Sequence, residues 1–287
     1  NIIYLTKVYK NIEDGFLYVI GKDIKELLKE WKEFYSNEFA GDSGQPGYDN
    51  NVIAKSKKDQ IYQQVKVSPD GNYIAYVTNI WGRKKIHLYD KSSGKIKVIF
   101  RREPKYEHIT DNTYPVLAWH PGSKILTYIN EERSGMAIYL YRTDEKKTES
   151  RTLLYFDKIL DFSYSPEGSR LILSGVKDGI TDLYVHTIAS GTNEQITRDI
   201  ADDFQPSFLE GAEDIIVFSS NRLTDTLSNT ADPYEKVNGT FDLFTYNLSQ
   251  RNNILTRLSE GRYVERFSPT GTIRNKFTYT GDASGIM

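Results

Sequence analysis

Val67-Ser68-Pro69-Asp70-Gly71-Asn72-Tyr73-Ile74-Ala75-Tyr76 decides how this chain folds, because the sequence makes it repeatedly. Trp119-His120-Pro121-Gly122-Ser123-Lys124-Ile125-Leu126 is a second copy, and Tyr164-Ser165-Pro166-Glu167-Gly168-Ser169-Arg170-Leu171-Ile172-Leu173 a third. A degraded fourth, Phe208-Leu209-Glu210-Gly211, runs into Ile215-Ile216-Val217-Phe218. The fifth, Phe267-Ser268-Pro269-Thr270-Gly271, runs into Phe277-Thr278-Tyr279. Each copy reads as a strand ending on a bulky residue, a tight turn and a second strand. Proline presets φ at the second position of a type I turn, and glycine takes the following positive-φ position without steric cost. The flanks are β-branched and aromatic, so the unit is a hairpin.

Working outward, the last residues of the first strands are Val67, Trp119, Tyr164, Phe208 and Phe267, separated by 52, 45, 44 and 59 positions. That is close to the roughly 40–50 residues of a four-stranded propeller blade. Each interval holds two more strands. The third strands read Lys85–Asp90, Ala137–Tyr141, Asp182–His186 and Asp242–Tyr246. The fourth read Lys95–Phe100, Thr152–Tyr155, Glu194–Thr197 and Asn253–Thr256. The expected fold class is all-β: a β-propeller with four complete blades and one partial blade, preceded by a short α-helical segment. A blade cannot bury both faces alone, so it stacks on its neighbours. Rings commonly hold about six to eight blades, so closure needs material from outside this segment. Val52-Ile53-Ala54 fits the outermost strand of a blade whose other strands lie elsewhere.

Residues 1–40 follow another period. In Asp23–Tyr35 the residues Ile24, Leu27, Leu28, Trp31 and Tyr35 make one helical stripe, with Asp23 placed as N-cap. Two shorter helical stretches, near Ile2–Tyr9 and Gly15–Ile20, precede it. A linker at 41–51 separates this segment from a propeller region at 52–287. The linker contains Gly41-Asp42-Ser43-Gly44, the string around a serine-protease nucleophile, but all four histidines lie downstream of Ser43. No histidine precedes Ser43, as that family requires, and the reading is rejected.

Composition excludes several classes. With 37 Lys and Arg against 39 Asp and Glu, the net charge of -2 gives no reason to expect nucleic acid or an acidic membrane surface. There are no cysteines, hence no disulfides, thiolate metal sites or cysteine nucleophiles in this segment. No apolar run reaches the roughly 18 residues of a membrane span, and no signal peptide opens the chain. The chain reads as a piece of a longer polypeptide.

The repeats resemble those of TolB-type propellers, a WD-repeat-like group of bacterial envelope proteins. The resemblance is carried by Ser68-Pro69-Asp70-Gly71, Gln205-Pro206-Ser207-Phe208, Phe218-Ser219-Ser220-Asn221-Arg222 and Asp182-Leu183-Tyr184-Val185, and covers about residues 52–280. It implies a periplasmic or outer-membrane-associated, non-catalytic scaffold that binds protein partners within a larger polypeptide or complex, with no cofactor and no metal. The same repeats form gating propellers of prolyl-oligopeptidase-like serine peptidases, but no Gly-x-Ser-x-Gly elbow is present. Gly21–Leu27 with Trp31 and Phe34-Tyr35 is similar to the closing helices of gluzincin-type metallopeptidase-like domains. Its His-Glu-x-x-His is not in this chain, so that resemblance implies a catalytic centre upstream of Asn1. The alternative function is therefore an accessory or gating propeller of an envelope peptidase.

Loops entering the innermost strands gather at one mouth of a propeller channel. Asp111, Asp157, Asp202, Asp203 and Arg262 are the candidates there to grip a peptide or a cation. The competing reading makes them solvated loop and turn formers. Trp81, next to Gly82 in a hairpin loop, is expected to be exposed and is a candidate binding anchor. His108 and His120 belong to no ligand spacing. An insertion from Leu223 to Gly239 lengthens one blade and reads either as a contact loop or as disorder, and Asp225-Thr226-Leu227 within it resembles an O-glycosylation acceptor.

Overall fold

The computed structural model describes residues 2–38, 53, 57–104, 112–209, 211–212, 214–228, 237, 239–250 and 252–259, and the backbone of 267–273 and 276–281. Its contacts divide the chain into two compact units, Asn1–Lys55 and Ser56–Met287.

The first unit contains three helices, α1 (Ile2–Tyr9), α2 (Ile12–Ile20) and α3 (Ile24–Glu38). Helix α2 starts three residues earlier than its apolar pattern suggests, because the Asn11 side chain accepts from the Glu13 N–H and caps it there. Gly21 closes it in the left-handed conformation, φ 77°. Asp23 caps α3 by accepting from the Lys25 and Glu26 N–H groups at 2.7 and 2.8 Å. Gly15 lies against Thr6, where an added Cβ would come within 2.7 Å of the hydroxyl.

The second unit is a series of antiparallel four-stranded sheets, each consecutive in sequence. Blade one is β1 (Ile61–Val67), β2 (Tyr73–Ile80), β3 (Arg83–Asp90) and β4 (Lys95–Arg102). Blade two is β5 (Val116–Trp119), β6 (Ile125–Glu132), β7 (Gly135–Arg142) and β8 (Lys147–Leu153). Blade three is β9 (Lys158–Tyr164), β10 (Arg170–Lys177), β11 (Ile180–Thr187) and β12 (Thr192–Gln195). Blade four is β13 (Asp203–Phe208), β14 (Ile215–Ser220), β15 (Asp242–Asn247) and β16 (Thr256–Arg257), and β17 (Phe267–Ile273) pairs with β18 (Lys276–Gly281). Val52 and Ala54, proposed as a closing strand, lie outside the described residues, as does the linker with Ser43.

Alternation on each strand sends successive side chains to opposite neighbours. In blade two, Leu117, Trp119, Leu126 and Tyr128 pack with Ala75, Val77, Ile86 and Leu88 of blade one. Val116, Ala118, Ile129 and Met136 face the other way, onto Ile159, Phe162 and Leu173 of blade three. Blades three and four share Ile172, Leu183, Phe218 and Phe244. Polar bonds fix the spacing. Trp119 Nε1 donates to the Lys66 carbonyl at 3.0 Å. The Tyr114 hydroxyl donates to the Ile159 carbonyl and accepts from the Ile159 N–H. Ser163 and Ser174 donate to the Pro206 and Asp203 carbonyls.

Three of the corners differ instructively. At Ser68–Gly71 and Ser165–Gly168 the glycine closes the turn at φ 71° and 78°, and the serine hydroxyl binds the strand beyond. At His120–Ser123 the closing, positive-φ residue is Ser123, at φ 60°, and not Gly122. The strained position supplies a contact: Ser123 Oγ accepts from the Asp70 N–H of the preceding blade at 3.0 Å. The fifth copy is no corner at all. Pro269 and Gly271 lie inside β17, which bulges between them, and the chain reverses only after Ile273. Thr270, Thr272 and Ile273 keep the strand going, and the bulge accommodates a proline that has no N–H to donate.

Gly168 also sits under the imidazole of His120, where an added Cβ would come within 2.2 Å of Nε2. Gly168→Ala is expected to destabilise the second unit by at least the 1–2 kcal/mol, roughly, of left-handed backbone strain. Urea denaturation should show that His120→Ala in the same background restores only the part due to the contact.

The fourth strand of blade three is shifted, to Thr192–Gln195, and that of blade four is both shifted and shorter, Thr256–Arg257. Hydroxyls replace the missing ladder: the Leu183 N–H donates to Thr197 Oγ1 and the Leu243 N–H to Ser259 Oγ, at 2.8 and 2.9 Å. The same hydroxyls donate to the preceding carboxylates, Asp182 and Asp242.

Candidate functional site

Aspartate, serine and arginine at fixed places in blade four make the most densely charged interior among the described residues. Arg222, at the end of β14, is 4% exposed. Its Nη1 donates to Asp199 at 2.8 Å, its Nη2 to both oxygens of Asp203 at 2.8 Å, and its Nε to Ser220 Oγ at 3.0 Å. The guanidinium lies over the rings of Phe218 and Phe244. Asp182 stands beside this group, accepting from Gln195 Nε2 and Thr197 Oγ1. Carboxylate oxygens of Asp182, Asp199 and Asp203 lie within 4.8 Å of one another. Burial, and then the charges of Asp203 and Asp199, push the Asp182 carboxyl up to about 7. One guanidinium against three buried carboxyls leaves the third to hold a proton.

This arrangement corrects one expectation. Asp203 is no rim residue: it is fully buried at the start of β13 and both of its oxygens are taken by Arg222. Asp202 is half-buried, and its N–H donates to Asn221 Oδ1. Asp157 is exposed and accepts from the Asp178 N–H at 2.8 Å, as a turn former does. Asp111 and Arg262 lie outside the described residues, as does His108. Asp157 and Asp203 are thus held by their own blades. Arg222 was quoted above only as part of a strand-end signature. The signal that could have singled it out is a lone arginine ending a strand after two aspartates, Asp199 and Asp203, at the entry to the same hairpin.

The blade-four insertion divides. Leu223–Leu227 is no loose loop: Leu227 is buried, its N–H donates to the Asn253 carbonyl, and Arg257 binds Asp225 and the Leu223 carbonyl. Thr226 is exposed and bridges Ile254, and residues 229–236 are not described. The three described histidines are engaged locally. His87 bonds Thr78 Oγ1, His120 accepts from the Gly122 N–H and His186 bonds Asn193.

Trp81 is the opposite of the buried cluster. It is 83% exposed at the β2–β3 tip with φ 52°, followed by Gly82 at φ 81°. The tip is pinned by Gly82 N–H donating to Asn79 Oδ1 at 2.8 Å and by Asn79 Nδ2 donating to Asn112 Oδ1. Nearby, Arg83 pairs with Glu103, and Arg102 crosses to Glu132 of blade two at 2.7 Å.

Consecutive twisted sheets packed face to face define a β-propeller. The fold is more particular than that: it is TolB-like. A structure of TolB from Acinetobacter baumannii is similar with a TM-score of 0.56 at 16% identity, over 81% of this chain and 53% of that one. A putative TolB from Agrobacterium tumefaciens gives 0.51 at 18% identity, over 71% and 65%. A puromycin hydrolase gives 0.53 at 11% identity, over 80% and 37%. The chain thus spans about half to two-thirds of the length of the TolB structures. No protein-family model matches the chain, and no curated protein matches its sequence.

Proposed function

We propose that this chain is a non-catalytic protein-interaction scaffold of a bacterial cell envelope, periplasmic or outer-membrane associated, within a larger polypeptide or complex. The observation that carries the reading is Trp81. A large aromatic, 83% exposed on a pinned hairpin tip, contributes nothing to the core and suits a contact with another protein. The TolB-like fold is consistent with it. No helix among the described residues is long and apolar enough to cross a membrane. Of the sequence candidates, Asp157 and Asp202 remain available as rim contacts, Asp111 and Arg262 rest on their placement in sequence, and Asp203 serves the interior.

A second reading, a gating propeller of an envelope peptidase, is favoured by the similarity to puromycin hydrolase and by the three helices that precede the blades. Affinity capture from envelope extracts, with a peptidase assay on the same protein, separates the two. A saturable partner without peptide hydrolysis supports the scaffold. Hydrolysis that changes rate or substrate size limit when blade loops are altered moves the function to gating.

A further inference from the structure

Two hairpin tips in this molecule have the same backbone and different chemistry. In blade one the pair Ile80–Arg83 closes a two-residue turn with Trp81 at φ 52° and Gly82 at φ 81°. In blade three the pair Lys177–Ile180 closes one with Asp178 at φ 52° and Gly179 at φ 82°. Both central residues have positive φ, the geometry for which Asn-Gly and Asp-Gly are the favoured pairs. Blade three obeys that preference. Blade one places an indole where a bulky side chain is strained, and with the described residues that indole makes no ring contact and no hydrogen bond. Among the described residues the cost has no structural return.

Basic side chains gather around the same tip. At the tip end of blade one Arg83, Lys85, Arg101 and Arg102 stand with Glu103, in a chain whose net charge is -2. On the last two strands the half-buried Lys85 lies opposite the exposed Arg101. Like charges directly opposite across an antiparallel pair are destabilising. Glu103 and Glu132 offset Arg83 and Arg102. Burial, followed by the charges of Lys85 and Lys57, holds the His87 imidazole below its usual range, a sign of the same positive field.

We propose that blade one, with Trp81 at its tip, docks an acidic polypeptide segment that lays an apolar residue against the indole. The inference rests on the scaffold reading and names its partner's chemistry. Carboxylates relieve the Lys85–Arg101 repulsion and match the planar guanidinium donors. The rigid tip lets Trp81 bind with little further ordering. A nucleic acid fits less well, because one indole is no stacking ladder.

The test uses the full chain and a short fluorescent peptide of Asp and Glu with one central Leu. Matched probes are the same peptide with Ser for Leu, a Lys counterpart, and a single-stranded oligonucleotide of equal charge. Saturable binding of the Leu peptide is expected, weakened about tenfold or more by Trp81→Asn and separately by Arg101→Glu. Trp81→Asn is also expected to melt roughly 2–4 °C higher than the parent, which shows that the weakened variant is folded. Equal binding by Trp81→Asn, equal binding of the Ser peptide, tighter binding of the oligonucleotide, or no binding would each overturn the proposal. If the peptide fails but envelope extracts still yield a saturable partner insensitive to Trp81→Asn, the docking site is wrong and the scaffold stands. If both fail, both readings fall.

Discussion

Replacing Arg222 with methionine is expected to destabilise the propeller by about 3–5 kcal/mol, the usual cost of stranding a buried charge. The methionine keeps much of the contact with Phe218 and Phe244, so the loss is electrostatic. Asp199 and Asp203 would be left 3% and 0% exposed with no cation between them. Urea denaturation of the full chain is the measurement, and the midpoint should fall without a change of slope. The triple variant Arg222→Met, Asp199→Asn, Asp203→Asn should recover a large part of the loss, because it removes the stranded charges along with their partner. A loss under about 1 kcal/mol for the single variant would show that water reaches the cluster and that the burial described here is wrong.

Stability is expected to fall as pH rises from about 4 to about 7, through Asp182. The sign follows from its surroundings. Its carboxyl titrates near 7 in the fold against 3.8 for an ordinary aspartate, so between those values the folded chain holds a proton that the unfolded chain has released. The folded state is favoured by acid across that window, and the contribution is fully present below about pH 4. It declines by up to about 1.4 kcal/mol per pH unit and levels off above 7. The groups responsible are the buried volume itself, then Asp203 and Asp199. Asp182→Asn, which resembles the protonated acid, should flatten the pH dependence relative to the parent and be the more stable of the two at pH 8. Parallel curves for the two proteins would mean that Asp182 is ionised throughout.

These two results concern the interior, whereas binding is assigned to blade one. The separation is physical. In blades three and four, Asp182 is the third residue of β11 and Asp242 the first of β15, and Thr197 and Ser259 clip those carboxyls to the backbone. In blade one the third strand instead opens on Arg83, Lys84 and Lys85, of which Arg83 is exposed, Lys85 half-buried and Lys84 buried. The acidic positions stabilise blades, whereas Arg83 and Lys85 keep charge at the surface.

What the sequence by itself determined is local. The turns at Ser68–Gly71 and Ser165–Gly168, the strands beside them and the order of four sheets all follow from residues within a few positions of one another, because turn chemistry and strand alternation act over that range. The exposure of Trp81 was legible for the same reason, as an aromatic beside a glycine between two strands. The tertiary structure alone decided the rest. The hydroxyl of Ser123, the left-handed fourth residue of its turn, accepts from the Asp70 N–H, 53 residues away, and only the stacking of two blades brings them together. Asp203 is interior and not rim because Arg222, 19 residues on, folds back over it. Thr197 and Ser259 end their strands because a hydroxyl can replace a ladder bond once its partner has been brought alongside. A charge or hydroxyl in sequence carries no label for its partner, since that partner is supplied by the stacking of one blade on the next.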